Sequence, residues 1–167
     1  IGHYSQQTNR VCTFDLTGID QLANQRRPLP TLSHVSRLLN QPAAERTVAT
    51  IIHEVTHQLA FNSGLQTRYA DNPGWVSEGI ATYFESPSLT TTRGWSAVGK
   101  MNRFNLFYFR RSLQQQPGTR LPGLISADAA FQDPDAVRQA YAESWALTYF
   151  LLKTRAPQYC EYIKRLS

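Results

Sequence analysis

The stretch Pro42-Ala43-Ala44-Glu45-Arg46-Thr47-Val48-Ala49-Thr50-Ile51-Ile52-His53-Glu54-Val55-Thr56-His57-Gln58-Leu59-Ala60-Phe61-Asn62 decides the fold. Proline suits a first helical turn, where its missing N–H costs nothing. Val48, Ile51, Ile52, Val55 and Leu59 recur at three and four, so the spacing predicts a helix with one apolar stripe toward a core. Gly64 follows as a C′ residue that stops it. Inside this helix stands His53-Glu54-Val55-Thr56-His57, the pattern HExxH.

Side chains four apart on a helix lie one above the other. Two imidazoles so placed can share one zinc ion at about 2.0–2.1 Å each. Glu54, one step round from His53, sits where a carboxylate can take a proton from water beside the metal. Twenty-one positions beyond His57 stands Glu78, within Trp75-Val76-Ser77-Glu78-Gly79-Ile80-Ala81-Thr82-Tyr83-Phe84-Glu85. That separation allows a loop (with Asn72-Pro73-Gly74 as its turn) and a returning helix over Trp75 to Glu85. Two histidines, one carboxylate and an open position make up a catalytic zinc set. The expected ligands are therefore His53, His57 and Glu78, with Glu54 as general base. Gly79 and Ala81 remove bulk, which lets two helices approach closely. Thr82, Glu85 and Asp71 are candidates to receive the other ring N–H of a ligating histidine.

HExxH followed by WVSEGIATYFE resembles the gluzincin metallopeptidases, in particular the WxxEGxAxYxE stretch of the alanyl-aminopeptidase-like group. Tyr141-Ala142-Glu143-Ser144-Trp145-Ala146-Leu147 is similar to the YxxSWAL stretch of a poorly characterised bacterial gluzincin-like family, peptidase MA-like. The resemblance runs from about Thr8 to the C-terminus. It implies a zincin-like catalytic domain, mainly α with a small β element (α+β), spanning residues 1–167. That domain is either a minimal core or a piece of a longer chain. It implies a zinc-dependent peptidase acting on a peptide or protein substrate, and it repeats the assignments of His53, His57, Glu78 and Glu54. It also places a later tyrosine near the metal, which makes Tyr141 the candidate donor to an oxyanion. Packing is the competing role for Tyr141, because Tyr141, Trp145 and Tyr149 share a four-residue spacing. Tyr83 is the runner-up. No GxMEN-like grip for a substrate amine precedes His53, so an endopeptidase is expected before an aminopeptidase. The alternative is a catalytically inactive zinc-binding or interaction module of the same fold. The compartment stays open; export from a bacterial cell is suggested by the resemblance alone.

The 167 residues suit one domain with its own core. A hydrophobic share of 41% with 17% charged residues excludes a disordered chain. No run reaches the length of a membrane span, and no basic-then-apolar leader stands at Ile1. The formal net charge is +5, but Lys and Arg are scattered, so a nucleic-acid partner is not expected. The most stripe-like segment, Met101 to Arg111, reads instead as a packed part of a helix over Ser96 to Gln116. Elsewhere the pattern predicts a strand over Thr8 to Leu16, with Asn9 to Asp15 a candidate edge beside the cleft. Gln21 to Gln41 reads as loop with a short helix around His34 to Leu39, and Pro117 to Gly123 as a break. Further helices are expected over Ser126 to Phe131, Asp133 to Lys153 and Pro157 to Leu166. Cys12 and Cys160 leave one disulfide open. His3 and His34 have no partner at ligand spacing and read as solvated.

Overall fold

The computed structural model describes residues 2–14, 42–86, 99–115 and 120–167. The readings for 15–41 and 87–98, His34 among them, lie outside these. Two short strands, β1 (Gly2–Ser5) and β2 (Arg10–Thr13), pair antiparallel, with Gly2 opposite Thr13 and Ser5 opposite Arg10. Asn9, at φ 55°, supplies the left-handed residue of their turn. The expected strand is thus present in its middle, and β1 is an addition. Four residues with Gly, His and Ser among them carry no alternation strong enough to announce a strand.

Seven helices follow among the described residues: α1 (Pro42–Asn62), α2 (Gly74–Phe84), α3 (Arg103–Gln115), α4 (Arg120–Ser126), α5 (Ala129–Gln132), α6 (Val137–Thr154) and α7 (Ala156–Leu166). The architecture is mainly α with one small two-stranded sheet. None of these helices is long and apolar enough to cross a membrane. Cys12 and Cys160 are both free and exposed, and His3 is exposed as expected.

α1 begins at Pro42 and is closed by Gly64 at φ +76°, a conformation that glycine adopts without penalty. Its stripe is not where periodicity puts it. Ile51 and Leu59 are exposed, whereas Glu54, Ala60 and Phe61 are buried. The reason is competition for the inner face. α2 and the hairpin pack on the side that carries His53, Glu54 and His57, where both histidines meet Glu78 and His53 also meets Glu85.

The apolar core lies on the other side of α2. Trp75, Val76 and Ile80 pack with Leu124 of α4, Ala140 of α6, and Tyr159 and Ile163 of α7. The Trp75 ring stacks on Tyr159 and Tyr162, centroids 6.1 and 5.8 Å apart. Tyr159 meets Thr148 at 3.2 Å through its hydroxyl. Gly79 is the closest approach between α2 and α6. A Cβ there would stand 2.2 Å from Thr148 Oγ1 and 2.8 Å from the Ser144 carbonyl oxygen. The small residue after Glu78 therefore serves contact with α6. The buried Ser144 and Trp145 of the YAESWAL segment line the same contact face.

Three further expectations are corrected. Residues 120–123, read as part of a break, begin α4. Pro122 falls in its first turn, where proline is tolerated, and Leu124 anchors the helix in the core. α3 does not extend back through Gly99 to Met101. Gly99 has φ +71°, and a Cβ on it would strike the Tyr83 hydroxyl at 2.3 Å. Nor do the large apolar side chains of α3 form its inner face. Phe104, Phe107 and Leu113 are exposed, while Asn105 and Ser112 are buried.

Candidate metal centre

One turn of α1 and one of α2 meet at the HExxH segment. His53 Nε2 lies 3.2 Å from His57 Nε2 and 3.0 Å from Glu78 Oε2, and His57 Nε2 lies 3.6 Å from that same oxygen. Among the described residues, these three form the cluster of metal-ligating side chains close enough to share an ion. The donor set fits a tetrahedral zinc. Ligand atoms at about 2.0–2.1 Å from such an ion stand about 3.3–3.4 Å from one another. Glu78 Oε2 is also buried, and the two imidazole nitrogens are the polar groups that approach it. A buried carboxylate oxygen left in that state is costly unless a cation completes it.

The electrostatics of the protein without metal point the same way. Burial works against a charged His53. The carboxylates of Glu78 and Glu85 outweigh it and push its pKa up to about 10. Burial likewise opposes a charged Glu78, but His53 and His57 hold it down at about 2. The site thus stores negative charge and fills the gap with a proton on His53. A divalent cation can replace that proton.

Glu85 receives the other nitrogen of His53, with Nδ1 to Oε2 at 2.9 Å. Of the three candidates for this role, it is the one that meets a histidine. Thr82 donates its hydroxyl back to the Glu78 carbonyl at 2.6 Å, within its own helix, and Asp71 is exposed. The opposite oxygen of Glu85 accepts from Asn102 Nδ2 at 3.0 Å and Asn105 Nδ2 at 3.3 Å. A helix expected over Ser96 to Gln116 puts both asparagines in its interior, where neither stands out as a site residue. The available signal was an asparagine at the residue before a helix, a capping position.

Glu54 is buried, its side chain under β1. A Cβ on Gly2 would lie 2.6 Å from Thr50 Cγ2 and 3.0 Å from Glu54 Cγ, so the first residue of β1 is pressed on this face of α1. Thr13, at the end of the expected strand, pairs with Gly2 at this end of the hairpin. Tyr141 projects from α6 with its ring 6.1 Å from that of His53, at 86°. Burial raises its hydroxyl pKa, and the charges of Glu78, Glu54 and Glu85 add to that. The phenol therefore stays neutral and able to donate. Tyr83 packs against Phe84 and Tyr149. Trp145 and Tyr149 pair with each other, whereas Tyr141 meets both His53 and Phe131, the latter at 5.9 Å between ring centroids.

No curated protein and no solved structure matches the chain. A family model described as "Protein of unknown function (DUF1570)" matches residues 47–167, which include His53, Glu54, His57, Glu78, Glu85 and Tyr141. That match covers well over half of the sequence, so the chain belongs to the DUF1570 family.

Proposed function

We propose that the chain is a zinc-dependent peptidase of gluzincin type, with a zincin-like catalytic domain that hydrolyses peptide or protein substrates. The observation that carries this reading is the convergence of His53 Nε2, His57 Nε2 and Glu78 Oε2 at 3.0 to 3.6 Å, with the carboxylate oxygen otherwise unsatisfied. These three side chains would hold the ion, which when bound would supply Lewis acidity to the scissile carbonyl and to the attacking water.

The remaining work falls to the chain. Glu54 accepts the proton of the attacking water and returns it to the departing amine, so the carboxylate is regenerated. Its low exposure keeps bulk water from competing for that proton. Tyr141 donates its hydroxyl hydrogen to the oxyanion that develops on the carbonyl, and its raised pKa keeps that hydrogen in place. Glu85 accepts from His53 Nδ1, which directs Nε2 toward Glu78 and His57. No GxMEN-like motif stands among the residues given ahead of His53, which favours cleavage within a chain.

Metal content and hydrolysis of a mixed peptide library test the reading together, on the wild type and on Glu54→Gln. The expected result is one zinc per chain in both proteins, with cleavage slowed about 10²- to 10⁴-fold in the variant. A wild type that takes up no zinc would refute the proposal. Zinc retained without cleavage of any library member would favour the inactive zinc-binding module.

A further inference from the structure

The start of α3 is built around the His53–Glu85 contact, and its geometry leaves one arrangement of protons. Asn102 immediately precedes α3 and acts as its cap: Asn102 Oδ1 accepts the backbone N–H of Asn105 at 3.0 Å, and its carbonyl accepts from Leu106 N at 2.9 Å. A backbone N–H can only donate, so it fixes which end of the Asn102 amide is oxygen. The Nδ2 end must then face Glu85, where it donates to Oε1 at 3.0 Å. Asn105, on the first turn of the same helix, donates its own Nδ2 to that oxygen at 3.3 Å. Both asparagines are buried, at 9% and 4% exposure, a placement that needs satisfied partners.

With Oε1 held by two donors, Oε2 is left to accept from His53 Nδ1. The N-terminal end of a helix also favours an anionic side chain beside it. Glu85 is therefore presented to His53 as an acceptor, and the Nε2 lone pair of His53 is left for the metal.

We propose that Asn102 and Asn105 are positioning residues for the metal centre. They act through Glu85 to set the tautomer and orientation of His53, so that the capped start of α3 tunes zinc affinity from outside the ligand set. This inference rests on the zinc reading above.

The test measures zinc affinity by competition with a chelator of known strength, on the full chain. The proteins are the wild type, His53→Ala, Asn102→Asp, Asn105→Asp and Asn105→Ala, and metal-free thermal unfolding is recorded for each. The aspartates keep the size of asparagine but remove the two amide donors. The expected result is a 10- to 100-fold weaker zinc affinity in each asparagine variant, with metal-free unfolding close to wild type in at least one of them. Cobalt(II) substitution should show a shifted visible spectrum in the same variants, because the His53 ring is no longer held. Unchanged zinc affinity in all three would overturn the inference and leave the peptidase proposal standing. So would weakening confined to variants whose metal-free fold is lost. A wild type that binds zinc no better than His53→Ala would overturn both.

Discussion

α1 and α3 both turn polar residues inward, yet only α1 shows it in its sequence. In α1 the inner polar groups are His53, Glu54 and His57, a spaced motif on a long helix. In α3 they are Asn105 and Ser112, seven apart with nothing between them to mark a face, while Phe104 and Phe107 stand exposed. The difference teaches that burial in this protein follows available partners. Asn105 has Glu85 to bind. The Ser112 hydroxyl donates to Glu143, which Arg120 also approaches at 3.8 Å. That second polar group forms the floor of a cavity of about 430 Å³, otherwise walled by Phe109, Leu113, Leu121, Leu147 and Phe150. A buried carboxylate demands donors more strongly than an exposed phenylalanine demands shelter.

The comparison is sharpened most by pH. Zinc must displace a proton from His53, whose metal-free pKa is about 10. Affinity for zinc should therefore rise about tenfold per pH unit from pH 7 upward, or about a hundredfold by pH 9, with one proton released per ion bound. Chelator competition at several pH values checks this, and a flat profile from pH 7 to 9 would mean that His53 carries no proton for zinc to displace. The signs for the metal-free fold differ on the two flanks. The raised His53 contributes stability that is complete below its ordinary value of 6.5 and is lost as pH climbs through about 10. The lowered Glu78 contributes stability that is complete above its ordinary 4.5 and is lost as pH falls through about 2. Metal-free unfolding midpoints should peak between about pH 4.5 and 6.5 as far as this site is concerned.

The second way to probe the comparison separates the two polar ends of α3. Ser112→Ala removes a donor from Glu143 and should cost about 1.5–3 kcal/mol, the range for a hydrogen bond to a charged partner. Zinc affinity should not change, since Ser112 faces the cavity and not Glu85. Denaturant unfolding with parallel metal titration reads both, and a loss of affinity would merge two networks that the structure keeps apart.

The smallest effect belongs to the outward face. Phe107 is 59% exposed. Phe107→Ser should shift stability by no more than about 0.5 kcal/mol, as for substitutions away from buried features. A loss of several kcal/mol in a thermal melt would restore the apolar inner face that periodicity expects for α3.

How much was legible beforehand follows the strength of local signals. HExxH is short-range: a helix fixes the spacing of His53 and His57 wherever it sits, so these two positions could be read directly. Glu78 was readable because a fingerprint surrounds it, and Glu85 because it lies seven residues on, two turns along the same side. The caps of α1, Pro42 and Gly64, were readable because proline and glycine carry their geometry with them. β1, the start of α3 and the helix at 120–126 were not, since each depends on what packs against it. Gly2 lies on Thr50 and Glu54, Asn102 caps α3 beneath Glu85, and Leu124 fills the core below Trp75.

From the amino-acid order alone came the helix with two imidazoles one turn apart, a carboxylate one step round, and a mainly helical chain. Tertiary structure alone decided that the polar face of α1 is its inner one, that Tyr141 rather than Tyr83 stands over His53, and that α3 contributes amides and not aromatics. The physical reason is range. Helical spacing is set by backbone hydrogen bonds four residues apart. Which face is buried depends on charges and donors brought in from dozens of residues away, as Glu85 and Asn105 are brought to His53.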